Sequence, residues 1–264
     1  MTRRRPTPLG VRVGAPIALT VLLLTVWCAL TASGAAPANL LPAPGRVLDR
    51  LVQDLGSGLL GQRAGRTLRE ALLGSALAAL VGLPLGHVIA RRTLARAALS
   101  PFIAASQAIP AVAMAPLLVL WVGYGLLPIS LLCAVMVFFP ILLSTTVGLQ
   151  TIDPELLEAA QLDGADGWRL LSRIEAPLAR RPILTGLRNG FTLSVTGAVV
   201  GEFVMGGDGL GQLLTVQANS ADTIGLFSTL VVLAVAAVTI YLGMLAIEQL
   251  TDPLREPPSK GRLP

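Results

Sequence analysis

The sequence predicts an all-α, polytopic membrane protein with about six transmembrane helices. Of its 264 residues, 53% are hydrophobic and 13% are charged, and the mean hydropathy is +0.73. A soluble domain is about a quarter charged. Apolar runs near or above the roughly 20 residues that a helix needs to cross a bilayer recur along the chain. We place the spans at residues 14–33, 70–90, 101–121, 127–149, 183–204 and 225–247.

The basic residues lie at the ends of these spans and predict their orientation. The formal net charge is +5, but the arginines form no basic stripe on a soluble face of the kind that binds nucleic acid. Most of them fall in segments that would share one side of the membrane: residues 3–12, 91–96, 169–181 and 255–262. This pattern favours both termini in the cytoplasm. The exception is segment 34–69, which carries five arginines and would lie outside, whereas the outer loop 206–222 has no Lys or Arg.

The chain therefore divides into a cytoplasmic tail (1–13), one transmembrane domain (14–250) and a second cytoplasmic tail (251–264). Its N-terminal sequence also resembles a signal peptide, because basic residues precede an apolar run. Since the rest of the chain is itself polytopic, we expect this run to be kept as the first span. The two cysteines, Cys28 and Cys133, fall inside predicted spans, where apolar packing is expected rather than a disulfide.

A surface helix is predicted between the first and second spans. In "LPAPGRVLDRLVQDL", Pro42 and Pro44 break the chain, and the apolar residues that follow recur at helical spacing. These residues are Val47, Leu48, Leu51, Val52 and Leu55. We expect an amphipathic helix whose apolar side packs on the membrane interface or, alternatively, on a partner protein.

Several reactive residue types are nearly absent, which removes most chemistry from the chain. His87, the only histidine, lies in the second predicted span, so neither a histidine-based metal site nor a Ser-His-Asp triad is expected. Lys260, the only lysine, follows no glycine-rich loop, so no P-loop is present. The cluster "GGDGLG", residues 206–211, follows no strand, and we interpret it as a turn. We expect no metal and no cofactor in this chain, and any nucleotide energy must come from a partner.

The charged passage between the fourth and fifth spans, residues 150–181, predicts a helix that ends in a glycine turn. Asp153 is a favourable N-cap, Pro154 suits the first helical position, and the Glu155 charge complements the helix dipole. Gly164 is expected to end this helix. The passage is thus more structured than a simple connection between neighbouring spans requires.

A second helix is predicted after the turn. Asp166 is placed to cap it, and it would run through Trp168, Leu171 and Ile174 until Pro177 stops it. Apolar residues give the two helices faces of their own: Leu156, Leu157, Ala160, Leu162, Leu170, Leu171 and Ile174. Because a few residues are enough to join adjacent spans, we interpret the passage as a docking element rather than a passive connection.

The same passage resembles the EAA motif of the permease subunits of binding-protein-dependent ABC importers. "EAAQLDG" is followed by nine residues and then by "IEAP". The family pattern is E-A-A, three residues, G, nine residues, I, one residue, and L-P. Six residues match at this spacing: Glu158, Ala159, Ala160, Gly164, Ile174 and Pro177. The departure is Ala176, where the family usually has Leu.

The resemblance extends over most of the chain. Four further stretches resemble the branch that imports nitrate, sulfonates, taurine or thiamine-precursor pyrimidines: "LPAPGRVLDRLV", "IPAVAMAPLLVLWVGYG", "FFPILLSTTVGLQTIDPELLEAA" and "VVGEFVMGGDGLGQLL". The resemblance implies a non-catalytic permease subunit in the bacterial inner membrane that forms the pathway for a small solute. An external solute-binding protein would deliver the solute, and a second permease copy, expected to be identical, would complete the pathway. Two cytoplasmic ATPase subunits would bind ATP, with the first helix of the passage seated in a cleft of one of them.

Three polar residues of the fifth span are candidates for the pathway or its gate. Glu202, near the outer end, could line the pathway or bond to backbone freed by the neighbouring glycines. Arg188 and Asn189, near the inner end, could face the pathway or reach the interface.

Two other classes of function are less consistent with the sequence. An ion-coupled secondary transporter would carry several ionisable groups at mid-membrane, and this chain offers little beyond Glu202. A membrane enzyme acting on lipid would need clustered catalytic groups at one membrane face, whereas the acidic residues here are spread along a helical passage.

Overall fold

The computed structural model describes residues 9–35, 37 and 39–251. Most of the predicted N-terminal tail and all but the first residue of the C-terminal tail lie outside these residues. Every regular element in the described part is helical, which confirms the all-α fold. The helices are α1 (Leu9–Ala32), α2 (Pro44–Gly56), α3 (Leu59–Arg91), α4 (Thr93–Gln107), α5 (Ala115–Val122), α6 (Leu126–Gln150), α7 (Pro154–Leu162), α8 (Trp168–Leu170), α9 (Ala176–Leu178), α10 (Arg180–Met205), α11 (Leu210–Asn219) and α12 (Thr223–Leu250).

Five of the six predicted spans fall on a long apolar helix or on a bent pair of helices, and the first, 14–33, falls on α1. Among the described residues, α3, α6 and α12 are long and apolar enough to cross a membrane without a break. Two bent pairs also qualify, one made by α4 and α5 and one by α10 and α11, and Ile17–Ala32 of α1 is a shorter apolar stretch. The chain is therefore a multi-pass membrane protein, as predicted.

The third predicted span, residues 101–121, is not one helix. The α4 helix and the segment Ala111–Val122, which contains a 3-10 turn and α5, meet at an angle of 87°. Pro110 stands at this break with extended backbone. The break follows because Pro110 has no N–H to continue the helix and its ring disfavours helical geometry at Ile109. The fifth span also differs from the prediction, since α11 occupies part of the expected loop 206–222 and is bent by 50° from α10.

The described chain forms two compact units. The first contains the described residues up to Leu60 together with Leu214–Val231, and the second contains Gly61–Leu213 and the described residues from Val232 onward. In the first unit, the Trp27 ring lies 5.6 Å from the Phe227 ring, which joins α1 to the first turns of α12. The predicted amphipathic helix is α2, and its bounds confirm the sequence interpretation.

Close contacts between α6 and α10 organise the second unit. A Cβ atom added at Gly186 of α10 would lie 2.3 Å from the Cβ of Ser144, and one at Gly201 would lie 2.9 Å from Ile129. The order of these pairs shows that the two helices run antiparallel. Small residues allow helix backbones to approach closely in membranes, where burial of apolar surface from water no longer drives association.

The α3 helix packs against α6 in the same way but runs parallel to it. A Cβ atom at Gly74 would lie 2.4 Å from Cys133, and one at Gly86 would lie 2.8 Å from Thr145. The C-terminal ends of α3 and α6 and the N-terminal end of α10 consequently lie at one end of this unit, which we call the passage end. A small apolar cluster joins them there: Ala90, Leu149, Ile152 and Ala179, with Leu157 and Ile183 packed against it.

Candidate functional site

The first helix of the passage, α7, begins and ends as the sequence predicts. The backbone N–H of Glu155 donates to Asp153 Oδ1 at 3.0 Å, so Asp153 caps the helix. Glu158 and Ala159 are exposed, whereas Ala160 is half-buried. The helix therefore presents one side to solvent and keeps its other side against the membrane domain, where Leu157 packs on the passage-end cluster.

The turn after α7 requires glycine for a steric reason. Gly164 has φ +82°, in the left-handed region where a Cβ atom meets the following carbonyl oxygen. The Ala165 N–H donates to the Ala160 carbonyl at 2.9 Å, and the Gly164 N–H donates to the Gln161 carbonyl at 3.0 Å. These bonds satisfy carbonyl groups that the end of the helix would otherwise leave open.

The second half of the passage departs from the prediction at both of its ends. The N-cap of α8 is Gly167, with φ +52° and no side-chain cap, so Asp166 does not cap this helix through its side chain. The helix also does not stop at Pro177. A π-helical segment, Leu171–Glu175, leads directly into α9, which ends at Leu178. The π-helical turn lies directly before Pro177, whose nitrogen has no proton to donate. The chain therefore stays helical through Pro177.

The remaining matched positions of the motif lie on this second half. Ile174 is half-buried, and Pro177 is exposed. Ala176, where the motif usually has Leu, is also exposed. The smaller side chain at this position therefore leaves no gap inside the chain.

Three large apolar side chains of α7 and α8 project into solvent. The exposed fraction is 54% for Leu156, 89% for Leu162 and 77% for Trp168. Trp168 and Leu162 lie on either side of the Gly164 turn. Exposed apolar side chains that lie together at the passage end, beside polar residues such as Glu158, are typical of a protein interaction surface. We call these three side chains the passage face.

Glu175 holds the passage to α3 and was not identified from the sequence. Its side chain is only 3% exposed, and its Oε1 atom lies 2.7 Å from Arg91 Nε. His87 Nδ1, one helical turn earlier on α3, lies 3.4 Å from Glu175 Oε2, a contact that is an ion pair only when the imidazole is protonated. The i, i+4 spacing of His87 and Arg91 was the available signal, because it places both on one side of the helix.

A cleft of about 390 Å³ opens beside this cluster at the passage end. It is lined by His87, Arg91, Arg92, Leu157, Gln161, Gly167, Leu170 and Glu175. The cleft therefore separates the end of α3 from the two helical parts of the passage except where Glu175 bridges them. This arrangement connects the passage to α3 through charged side chains, and to α6 and α10 through the continuous backbone.

Arg188, a predicted pathway candidate, is engaged within the membrane domain. Its Nη1 atom donates to Glu248 Oε2 at 2.6 Å, and its guanidinium lies 5.2 Å from the centre of the Tyr241 ring. Both partners belong to α12, so Arg188 ties α10 to α12. Asn189, in contrast, is exposed, and Thr196 is exposed two turns further along α10.

Glu202, the third pathway candidate, is fully buried. Its carboxylate accepts hydrogen bonds from Thr67 Oγ1 at 2.7 Å, from the Gln212 N–H at 3.2 Å and from the Gly211 N–H. These contacts correspond to the backbone-bonding alternative of the sequence interpretation. A gating role for Glu202 stays a prediction.

The glycine-rich turn after α10 is shaped around this carboxylate. A Cβ atom at Gly209 would lie 1.9 Å from Glu202 Oε1 and 2.4 Å from Thr67 Oγ1. Thr67 Oγ1 also accepts the Leu210 N–H at 2.8 Å. Glu202 and Thr67 together satisfy the open N–H groups at the start of α11. Glu70, also buried, is close to the Glu202 carboxyl group.

The part of the chain that the structure describes contains no candidate metal site. There, no group of three or more His, Cys, Asp or Glu side chains is arranged to hold an ion. The charged clusters of the second unit are instead internal contacts between helices, as for Glu175 with Arg91 and Arg188 with Glu248.

Comparison with known proteins gives consistent matches. The riboflavin transport system permease protein of Chloroflexus aurantiacus is 44% identical over 87% of this chain and 85% of its own length. The formylaminopyrimidine transport permease protein of Halalkalibacterium halodurans is 30% identical over 90% of this chain and 93% of its own length. The taurine transport system permease protein of Escherichia coli is 28% identical over 93% and 91%.

A solved structure shares the fold. An inward-facing form of the MetNI methionine ABC transporter superposes with a TM-score of 0.66 at 21% identity, covering 75% of this chain and 98% of that one. The family model described as "Binding-protein-dependent transport system inner membrane component" matches residues 79–255, about two thirds of the chain and the whole of the passage. The chain therefore belongs to this family, the permease subunits of ABC importers.

Proposed function

We propose that the chain forms the translocation pathway of an ATP-driven importer for a small solute and receives its energy through the passage between α6 and α10. The single observation that carries this proposal is the passage face, whose apolar side chains project from a segment that is itself firmly held. A surface that transmits force must meet two requirements. It has to bind a partner, and it has to be attached to the helices that move.

The passage is attached to three helices. The backbone continues directly from α6 into the passage and from the passage into α10, and Glu175 pairs with Arg91 of α3. We propose that α7, with Glu158, Ala159 and Ala160, seats on an ATPase subunit, and that Gly164 fixes the angle between α7 and the second half. Ile174 and Pro177 would shape that second half. Closure of the ATPase pair then moves the three helices together and switches access to the pathway.

The energy for this switch comes from a partner that binds the two states differently, so no residue of the passage needs to be catalytic. We propose that ATP is bound and hydrolysed in the separate ATPase subunits, that this chain is itself non-catalytic, and that it needs no cofactor of its own. The passage end would face the cytoplasm of the bacterial inner membrane, in keeping with the arginines at this end, and both termini would lie on the same side.

Asn189 is the candidate that remains best placed to line the pathway. It is exposed on α10 together with Thr196, and exposed polar groups at membrane depth are unfavourable against lipid. We propose that this side of α10 faces the pathway between two identical copies of the chain. Arg188 and Glu202 would act in support, Arg188 by holding α12 and Glu202 by holding α11.

The cargo we propose is a heteroaromatic vitamin or vitamin precursor delivered by an external solute-binding protein. The relatives named for riboflavin and formylaminopyrimidine transport are 44% and 30% identical, against 28% for the taurine relative. A sulfonate such as taurine is the second candidate, because that relative matches over the largest share of this chain, 93%. Nitrate is a further candidate from the sequence resemblance alone.

Reconstitution tests the proposal. The chain is co-expressed with candidate ATPase subunits and solute-binding proteins from the same genome, purified, and placed in liposomes. We expect the ATPase subunit to co-purify and ATP to drive uptake of riboflavin or a pyrimidine precursor in preference to taurine. Binding of ATP by the isolated chain, or uptake driven by an ion gradient without ATP, would overturn the proposed energy coupling. Preferential uptake of taurine would overturn only the cargo.

A further inference from the structure

The amphipathic helix α2 exposes an apolar stripe that no described residue covers. Leu48, Val52 and Leu55 lie at i, i+4 and i+7 and are 59%, 62% and 50% exposed. The opposite side of the helix faces inward, with Val47 and Asp54 buried. The stripe is therefore a continuous surface along the helix and not a set of isolated side chains.

Two contacts within the first unit fix the position of α2 along the neighbouring spans. Trp27 of α1 donates from Nε1 to the Pro42 carbonyl at 3.0 Å, just before α2 begins. Arg50, in the middle of α2, pairs with Asp54 at 2.8 Å and with Asp222 at 3.0 Å. The hydrogen bond to Asp54, followed by the charge of Asp222, raises the pKa of Arg50, so its guanidinium stays charged between them.

These contacts set the depth of α2 relative to a membrane. Asp222 is the residue immediately before α12, so Arg50 lies beside the first turn of that helix. Trp27 lies near the end of α1 and against Phe227, which is about one helical turn into α12. Tryptophan is enriched at this level because its ring is amphipathic. These contacts hold α2 beside the end of α1 and the start of α12, which are the ends that we expect at the boundary between headgroups and acyl chains.

We propose that α2 is an interfacial helix whose stripe of Leu48, Val52 and Leu55 inserts into the lipid leaflet around α1 and α12. Lipid is the occupant that the structure favours, because Trp27 and Asp222 hold α2 beside the ends of two apolar helices, and α1 also exposes large apolar side chains such as Leu30. The two arginines and two aspartates of α2 balance, so the insertion depends on apolar contact and not on anionic headgroups. Assignment to the outer leaflet rests on the orientation proposed above; the interfacial position itself does not.

Spin labelling of the assembled transporter tests this position. Single cysteines are placed at Leu48, Val52 and Leu55, with Asp49 and Gln53 as matched exposed positions on the same helix. Cys28 is first replaced by Ser, and Cys133 is fully buried and is left in place. For each label we compare the rate of collision with oxygen to the rate of collision with a water-soluble nickel chelate. This ratio is expected to be several-fold higher for labels on the stripe than for labels at Asp49 and Gln53. The ratio is expected to be the same in neutral and in anionic liposomes.

Two outcomes would overturn the proposal. If the chelate reaches labels on the stripe as readily as labels at Asp49 and Gln53, the stripe lies in water. Chelate access that is lost only when the solute-binding protein is added would assign the stripe to a protein partner. An impermeant thiol reagent applied to intact cells tests the orientation separately. Modification at Asp49 and Gln53 supports the outer leaflet, and protection of both in intact cells but not in lysed cells would reverse the proposed orientation while the interfacial position stands.

Discussion

Glu175 Oε1 lies 2.7 Å from Arg91 Nε, which joins the passage to the end of α3. The pair matters because α3 is not continuous with the passage and would otherwise follow its motion only through apolar contacts. Breaking a buried ion pair by removing one partner typically costs about 3–5 kcal/mol. The Arg91 side chain is 26% exposed, so solvent screens the charge that is left, and we expect a smaller cost of about 2 kcal/mol here.

Replacing Glu175 by Gln should therefore weaken transport more than it weakens assembly. Glutamine keeps the shape of the side chain but leaves Arg91 without its counter-charge. We expect ATPase binding to be retained and the number of solute molecules imported per ATP to fall several-fold. Uptake and ATP hydrolysis are measured in the same liposomes, with Asp166→Asn as the control because Asp166 is an exposed acid of the same passage. Equal loss in both variants would show that Glu175 has no specific connecting role.

The local structure of the passage was predictable because the responsible residues are neighbours in the chain. Asp153, Pro154 and Glu155 define the start of α7 through contacts across two residues, and Gly164 ends it through a bond to Gln161. Such signals need no knowledge of the tertiary structure. The same holds for α2, whose helical spacing is visible in the sequence.

The contacts that hold the site together could not be predicted in this way. Glu175 meets Arg91 at a sequence separation of 84, and Glu202 meets Thr67 at a separation of 135. Such pairs depend on which helices pack together, and the local patterns of a single sequence do not reveal which helices are neighbours. Pro110 is itself a signal for a kinked span, but the size of the break, 87°, was not predictable, because the apolar run continues through the proline and its composition is that of one span.

Truncation of Leu162 to Ala should reduce binding of the ATPase subunit. Leu162 is 89% exposed in the passage face and is expected to be buried in the complex. A central apolar contact of an interface contributes about 2 kcal/mol, which corresponds to a roughly 30-fold weaker Kd. Leu94→Ala is the matched control, because Leu94 is 82% exposed but lies in α4, outside the passage. Binding is measured by titrating the purified ATPase subunit onto the permease in nanodiscs, and equal affinities for the two variants would contradict the assignment.

Substitution of Gly164 should uncouple ATP hydrolysis from uptake. Proline cannot adopt φ +82°, so Gly164→Pro would force the turn into another geometry, whereas Gly164→Ala would impose strain of about 1–2 kcal/mol. We expect normal membrane insertion in both, with little uptake in the proline variant and intermediate uptake in the alanine variant. Gly61→Ala is the control, since a Cβ atom there meets nothing within 4 Å. Full uptake by Gly164→Pro would show that the turn does not transmit motion.

Replacing Glu202 by Met should destabilise the membrane domain and so separate a supporting role from a role in the pathway. Methionine has a similar volume but cannot accept hydrogen bonds, so the N–H groups of Gly211 and Gln212 would lose their acceptor. Each buried donor left without a partner costs about 1–3 kcal/mol. We expect thermal unfolding of the purified permease at a temperature lower by several degrees, whereas Glu155→Met, at an exposed position, should leave it unchanged. A variant that keeps the stability of the unmodified protein but loses uptake would instead assign Glu202 to the pathway, because a residue that only holds α11 cannot affect transport without affecting the fold.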